Sequence, residues 1–271
     1  MTLEERLAAL EGRITVLEDR AAIENLMGRY QYLHTANLNL EIVDGLWSHS
    51  EEASIEEGAY GVYAGWQFQS VGDFYAEKYG MEHYQPPMPE GMDGPPHGGP
   101  SFPAEPPRKT AGKLVVHTLT TPVIEIAADG KTAKGVWISA GHESGVFGEG
   151  ELSHIPRVDG SQPDGDGDRI LADWVWLKFG VDFVKEDGQW KLLHLHIYDM
   201  FRCPFEENWV SFSKRRAAEE TAMDSLHRFG MSGTTPRYPT TFHQRYAVDA
   251  EPRLEPRPPE PYTTLSETFR Y

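Results

Sequence analysis

Leu3, Leu7, Leu10, Ile14 and Leu17 recur at steps of four and three with Glu and Arg around them, so the first twenty residues form a short heptad seam. Roughly two to three heptads are marginal alone, and the seam is expected to dock on the domain or on a second subunit rather than stand free. The helical pattern continues through RAAIENLMGRYQYLHTA, where Ile23, Met27, Tyr30 and His34 share one side and Leu26 and Leu33 lie beside them. That stripe mixes apolar bulk with two side chains that can handle protons.

Residues 41 to 84 read as a second helix (EIVDGLWSH), a strand or hairpin around ASIEEGAYGVYAGW, and a third helix (SVGDFYAEKYG). Residues 85 to 109 hold nine prolines and four glycines, which excludes regular structure and predicts a long surface loop. Four alternating or continuously apolar runs follow: KLVVHTLTTPVIEI, TAKGVWISAGHES, RILADWVWLKFGVDFVKED and QWKLLHLHIYDMF, with hairpin-like turns at AADGK and EDG. The last seventy residues predict one helix, about Trp209 to Phe229, and a Pro-rich tail. Tyr238, Phe242, Tyr246, Tyr262 and Phe269 make that tail too aromatic for a linker, and it is expected to wrap a surface. The domain reading is therefore 1–20, a heptad helix; 21–205, the main domain carrying the 85–109 loop; and 206–271, a C-terminal helix and tail.

Composition narrows the class. With 39% hydrophobic, 11% aromatic and 25% charged residues in a 271-residue chain, a sizeable core is available and a disordered chain is excluded. A formal charge of −17 repels phosphate backbones and anionic headgroups, so neither nucleic acid nor a membrane is expected as a partner. One cysteine, Cys203, excludes an intrachain disulfide framework and suits a reducing compartment. The N-terminus has no apolar signal core, and the chain is expected in the cytoplasm.

Helices first and a meander of long strands afterwards is an α+β order. RAAIENLMGRYQYLHTANL, HTLTTPVIEIAADGKTAKGVW and EDGQWKLLHLHIYD together resemble the SnoaL-like branch of the nuclear transport factor 2 superfamily over about residues 15 to 200. The resemblance implies a cone, a curved antiparallel sheet wrapped around N-terminal helices, here with a Pro-rich insertion and a C-terminal extension. Scytalone dehydratase, in that superfamily, uses two histidines on neighbouring strands, and the spacing of His117 and His142 is similar. The family's acidic helix residue falls here on His34 or Thr35, a departure that implies a different proton inventory. The insertion and the aromatic tail also resemble the cofactor-independent diarylpropane lyases of lignin-dimer catabolism. That likeness implies a homo-oligomeric lyase, dimer or trimer, turning a phenolic 1,2-diarylpropane-1,3-diol into a stilbene and formaldehyde.

The residue types suit such chemistry. Histidine can serve as acid or base near neutral pH, which assigns proton transfer to His117 and His142 with His34, Tyr30 and Lys178 assisting. Tyr30 and Lys178 could stabilise phenolate charge, and Trp66, Trp174 and Trp176 could wall two aryl rings. His194 and His196 share a strand face with Tyr198 and are further candidates for the substrate pocket. No cofactor is implied. Metal readings are weak: His142-Glu143 opens an HE pair with no second histidine at HExxH spacing. DGDGD at 164–168 has Arg169 where a calcium loop needs glycine and Val175 where it needs glutamate. The rival readings are a dehydratase, isomerase or cyclase of an aromatic or polyketide substrate, and a non-catalytic ligand-binding or partner subunit.

Overall fold

The computed structural model describes residues 1–58, 61–66, 70–77, 114–146, 170–215 and 236–271. The Pro-rich stretch, the DGDGD run and residues 216–229 of the predicted C-terminal helix lie outside the described residues.

Helix α1 (Leu3–Thr35) opens on a capping box in which Glu5 N donates to Thr2 Oγ1 at 3.1 Å and Thr2 N donates to Glu5 Oε2 at 2.7 Å. It runs unbroken across residue 20, so the heptad segment and the first domain helix are one element. Residues 1–18 are all exposed, and the first buried side chain is Asp19; the seam does not dock on its own domain. Beyond it, Ile23, Leu26, Met27 and Tyr30 enter the core. Helices α2 (Asn39–Leu46) and α3 (Val71–Glu77) flank a short hairpin of β1 (Ser54–Glu57) and β2 (Gly61–Ala64).

Four long strands complete the molecule: β3 (Leu114–Ile126), β4 (Thr132–Val146), β5 (Ile170–Glu186) and β6 (Gln189–Pro204). They form an antiparallel meander within a curved six-stranded sheet of order β2-β1-β6-β5-β4-β3. The sheet is mixed rather than purely antiparallel, because β1 lies parallel to β6. The two are separated in sequence by about half of the chain, so the hairpin enters beside the last strand instead of extending the meander. The architecture is otherwise the α+β cone that the element order predicts.

Three register shifts decide which residues face inward. On β3 an extra residue is accommodated at Thr121 and Pro122, where Thr121 takes a φ of 49° and proline leaves the ladder without a donor. Two more lie on β6, between the pairs Trp176/Phe201 and Leu177/Asp199 and between Asp182/His194 and Phe183/Leu192. The inner face carries Leu177, Phe179, Val181, Leu195 and Ile197 and packs on α1. The outer face is covered by the tail, residues 236–271, with a 3-10 turn at Leu265–Glu267. The tail is pinned where Val62 N donates to Tyr238 O at 2.9 Å, Tyr246 N to Met200 O at 2.7 Å and Ala128 N to Tyr262 O at 2.9 Å.

Candidate functional site

Where α1 packs against β3 and β6, His34, His117, Glu143 and Arg202 converge, with Tyr30 and Tyr75 beside them. His117, on β3, stands opposite Gly141 of β4, and its ring lies in the space that a side chain at 141 would take. A Cβ on Gly141 would sit 2.4 Å from His117 Nδ1. His34, in the last turn of α1, stacks on the His117 ring with centroids 5.7 Å apart and planes 17° from parallel. Tyr30, one turn earlier, lies 6.2 Å from His34 between centroids, and its hydroxyl is 3.2 Å from that of Tyr75. His34 Nδ1 is 2.7 Å from Asn39 Oδ1 at the start of α2.

His117 Nε2 is 3.0 Å from Glu143 Oε1, and Glu143 is gripped from its other side by both terminal nitrogens of Arg202 on β6. Burial alone would raise the Glu143 pKa, but Arg202 beside it and the hydrogen bond from His117 outweigh burial and hold the carboxyl well below its usual range. An ionised carboxylate only accepts, so His117 carries a hydrogen on Nε2, and in the neutral form of the ring the lone pair lies on Nδ1. That atom is buried and without a hydrogen-bond partner among the described residues. The Gln31 amide on α1 and Ser139 Oγ, two residues from Gly141 on the same face of β4, also lack a hydrogen-bond partner among the described residues, as do His196 Nε2 and Asp199 Oδ1 elsewhere. Buried polar groups are ordinarily paired, and an unpaired ring nitrogen on an imidazole oriented by a carboxylate has the character of a reactant site.

The remaining sequence candidates go elsewhere. His142 does not join His117. It is exposed on the outer face, opposite Trp174 and 4.9 Å from that ring. Trp174, Trp176, Lys178 and Tyr198 are on the outer face too, the last three beside the tail. Trp174 stacks on Phe205 and Trp176 on Phe201. Lys178 Nζ donates to Glu255 O at 2.8 Å; burial lowers its pKa, with Glu255 partly opposing. Trp176, Lys178, Tyr198, Phe201, Trp209 and Phe242 help line an open cavity of about 470 Å³ bordered by the tail. Tyr198 has its pKa raised, chiefly by burial and next by Glu56.

His194 is held by Asp182 at 2.8 Å and faces Glu52 O at 3.1 Å. His196 stacks on Tyr198 at 3.7 Å and lies 3.2 Å from Glu56 Oε1; burial pushes it down to about 4 against the opposing pull of Glu56. Trp66 packs at the edge of the core, 4.2 Å from the His49 ring.

Among the described residues, no three His, Cys, Asp or Glu side chains converge as metal ligands would. Nor is any described helix long and apolar enough to cross a membrane. Glu143, Arg202, Gln31 and Ser139 were not anticipated from the sequence. The signal for Glu143 was the HE pair, in which the second residue, not the first, faces inward.

No family model matches the sequence, and no curated protein does. Similar solved structures include the hexachlorocyclohexane dehydrochlorinase LinA-type3 from Novosphingobium barchaimii, with 13% identity over 72% of this chain and 96% of that one at a TM-score of 0.44. A protein provisionally named scytalone dehydratase, from Novosphingobium aromaticivorans, matches with 15% identity over 72% and 93% at 0.42. An NTF2-like protein with a cystatin-like fold from the same species matches with 15% identity over 75% and 92% at 0.37. Overlaps this shallow carry no argument about chemistry, which must come from the site.

Proposed function

We propose that the chain is a cofactor-independent, cytoplasmic lyase acting on a phenolic small molecule through proton transfer at His117 and His34. The observation that carries this reading is the His34–His117–Glu143–Arg202 array, with the lone pair of His117 Nδ1 buried and unclaimed. Arg202 keeps Glu143 ionised, Glu143 fixes the His117 tautomer, and His117 acts as the base. His34, stacked on it in a different polar setting, acts as the acid.

The substrate that best fits two such groups is a phenolic 1,2-diarylpropane-1,3-diol. His34 in its protonated form gives a proton to the benzylic hydroxyl, which leaves as water while the phenol gives up its own proton, which restores His34, forming a quinone methide. His117 then takes the proton of the terminal hydroxyl. The bond between the terminal carbon and its neighbour breaks, releasing formaldehyde, and its electron pair restores the aromatic ring. The proton held by His117 returns to the phenolate, so the products are a stilbene, formaldehyde and water, with no net redox change. The buried hydroxyls of Tyr30 and Tyr75 supply hydrogen bonding beside the reacting ring. Burial raises Tyr75 well above the ordinary phenol range, with Tyr30 reinforcing the shift, so it stays a donor.

The test follows stilbene absorbance and formaldehyde from such a diol after exhaustive chelation. Turnover by the chelated wild type that falls about 10²- to 10⁴-fold in His117→Asn supports the reading. An inert wild type, or restoration of activity only by added metal, refutes it. One observation favours a second reading, a ligand-binding protein without catalysis: the aromatic cavity of about 470 Å³ lies on the outer face, away from His117. In that case Trp176→Ala, not His117→Asn, abolishes binding of a phenolic ligand measured by calorimetry.

A further inference from the structure

Helix α1 carries two apolar stripes that serve different surfaces. At 3.6 residues per turn, the side bearing Leu3, Leu7, Leu10, Ile14 and Leu17 lies about 160° around the axis from the side bearing Ile23, Leu26, Met27 and Tyr30. The second stripe is buried in the domain. The first points away from it, and each of its five residues is more than half exposed. A protruding helix face of this composition has to be explained by a partner.

The charges beside the stripe identify the partner. In heptad register Leu3, Leu10 and Leu17 occupy d, while Leu7, Ile14 and Ala21 occupy a. The e positions are then Glu4, Glu11 and Glu18, and the g positions are Arg6, Arg13 and Arg20. In a parallel pair each g residue faces the e residue of the following heptad on the other helix. Arg6 of one copy thus meets Glu11 of the other and Arg13 meets Glu18, with the reciprocal pairs across the seam. In an antiparallel pair g would face g and e would face e, setting Arg against Arg and Glu against Glu. Leucine at every d position with a β-branched Ile14 at the central a position favours two strands. Three heptads are few for a free peptide, but here the helix is already nucleated by its domain-packed half and closed by the Thr2 capping box.

We propose that residues 3 to 21 form an in-register, parallel coiled coil with a second copy of this chain, with the two domains on the outer sides of the seam. Because the seam stripe and the domain stripe point in nearly opposite directions, the domains do not obstruct it. The inference is independent of the proposed chemistry.

The experiment uses the full chain in sedimentation equilibrium at low salt. The acidic variant, Arg6→Glu with Arg13→Glu, places Glu at e and g. The basic variant, Glu11→Arg with Glu18→Arg, places Arg at both. All four positions are exposed, so thermal melting of the domain should be unaffected. The wild type is expected to sediment as two copies, each variant alone to dissociate at least tenfold more readily, and an equimolar mixture to regain the paired mass. Leu3→Cys, in a chain whose one native cysteine is buried, should form an interchain disulfide on mild oxidation. A wild type of single-copy mass, variants that associate as the wild type does, or a Leu3→Cys chain that stays uncrosslinked would each overturn the proposal.

Discussion

The two faces of the sheet each hold a buried histidine, carboxylate and cation, and they differ in one respect. On the inner face, His117 bonds Glu143 and Glu143 bonds Arg202. On the outer face, His194 bonds Asp182 at 2.8 Å and Asp182 accepts from Lys134 Nζ at 2.5 Å. The outer group is closed. His194 uses both ring nitrogens, Asp182 also accepts Tyr271 N at 3.1 Å, and Lys134 lies 4.5 Å and 4.7 Å from the Phe269 and Tyr271 ring centroids. The inner group ends on an atom with nothing to bond to among the described residues. The two groups share side-chain chemistry, and what distinguishes them is the unpaired Nδ1 of His117. The outer group locks the tail to the sheet, and in the proposed reading the inner one takes a proton that arrives from outside the chain.

The largest expected effect breaks the comparison at its histidines. His117→Asn should leave the fold nearly intact and cut turnover about 10²- to 10⁴-fold, the usual range for a lost general base. His194→Asn should lower the melting temperature while sparing turnover per folded molecule. Stilbene formation normalised to folded protein, measured beside thermal melts, distinguishes them. If the two variants lose activity in the same proportion, the two faces are not functionally distinct.

Next come the cations. Removing one partner of a buried pair leaves an uncompensated charge, at a cost of about 3–5 kcal/mol. Arg202→Met and Lys134→Met should each show a loss of that order in denaturant unfolding. They should part in kinetics: Arg202→Met lets Glu143 gain a proton more easily and displaces the pH–rate profile, whereas Lys134→Met leaves the profile in place. An unmoved profile in Arg202→Met would mean that Glu143 does not depend on it.

Acid sharpens the same contrast with smaller effects. His196 is held down at about 4 in the folded chain, mostly by burial, against about 6.5 unfolded. The unfolded state therefore binds the extra proton as pH falls through that window, and stability fully present above about 6.5 is lost on the way down to 4. Glu143, held below its ordinary value, keeps its contribution above the usual carboxylate range and loses it further down, as pH falls through its folded pKa. Melting temperature should thus decline in two stages, and His196→Gln should remove the first alone. A single decline confined to the carboxylate range would reject the outer-face stage.

Much of the fold was legible in the sequence, because period-2 and period-3.6 patterns are set by burial and survive in the chain as written. The four long strands and three helices fall where the patterns place them, and the parallel β1–β6 pairing was missed because periodicity carries no information about strand order. The site was half legible. Tyr30, His34 and His117 meet as the helix and strand patterns suggest. The strand partners were misassigned because a bulge changes facing by one residue and so exchanges the faces. Counted back from the hairpin pair Ile126 and Ala133 without an extra residue, His117 would stand directly opposite His142. The shift at Thr121 and Pro122 puts Gly141 there instead and turns His117 to the inner face, which on β4 carries Glu143 and not His142. Lys178 and its tryptophans belong to the outer face, which the tail borders.

The smallest expected effect tests that register. His142 is exposed on the outer face, against Trp174, and touches none of the inner group. His142→Asn should therefore change turnover by less than about twofold and stability by less than about 0.5 kcal/mol, the usual range for a surface substitution. Gly141→Ala is the complementary probe. Its added carbon would lie 2.4 Å from His117 Nδ1 and 2.6 Å from Val116 O, so the imidazole must move off its bond to Glu143 and the rate should fall toward that of His117→Asn. If His142→Asn were instead as inactive as His117→Asn, and Gly141→Ala as active as wild type, the two histidines would share a face and β3 would pair with β4 without the bulge at Thr121 and Pro122.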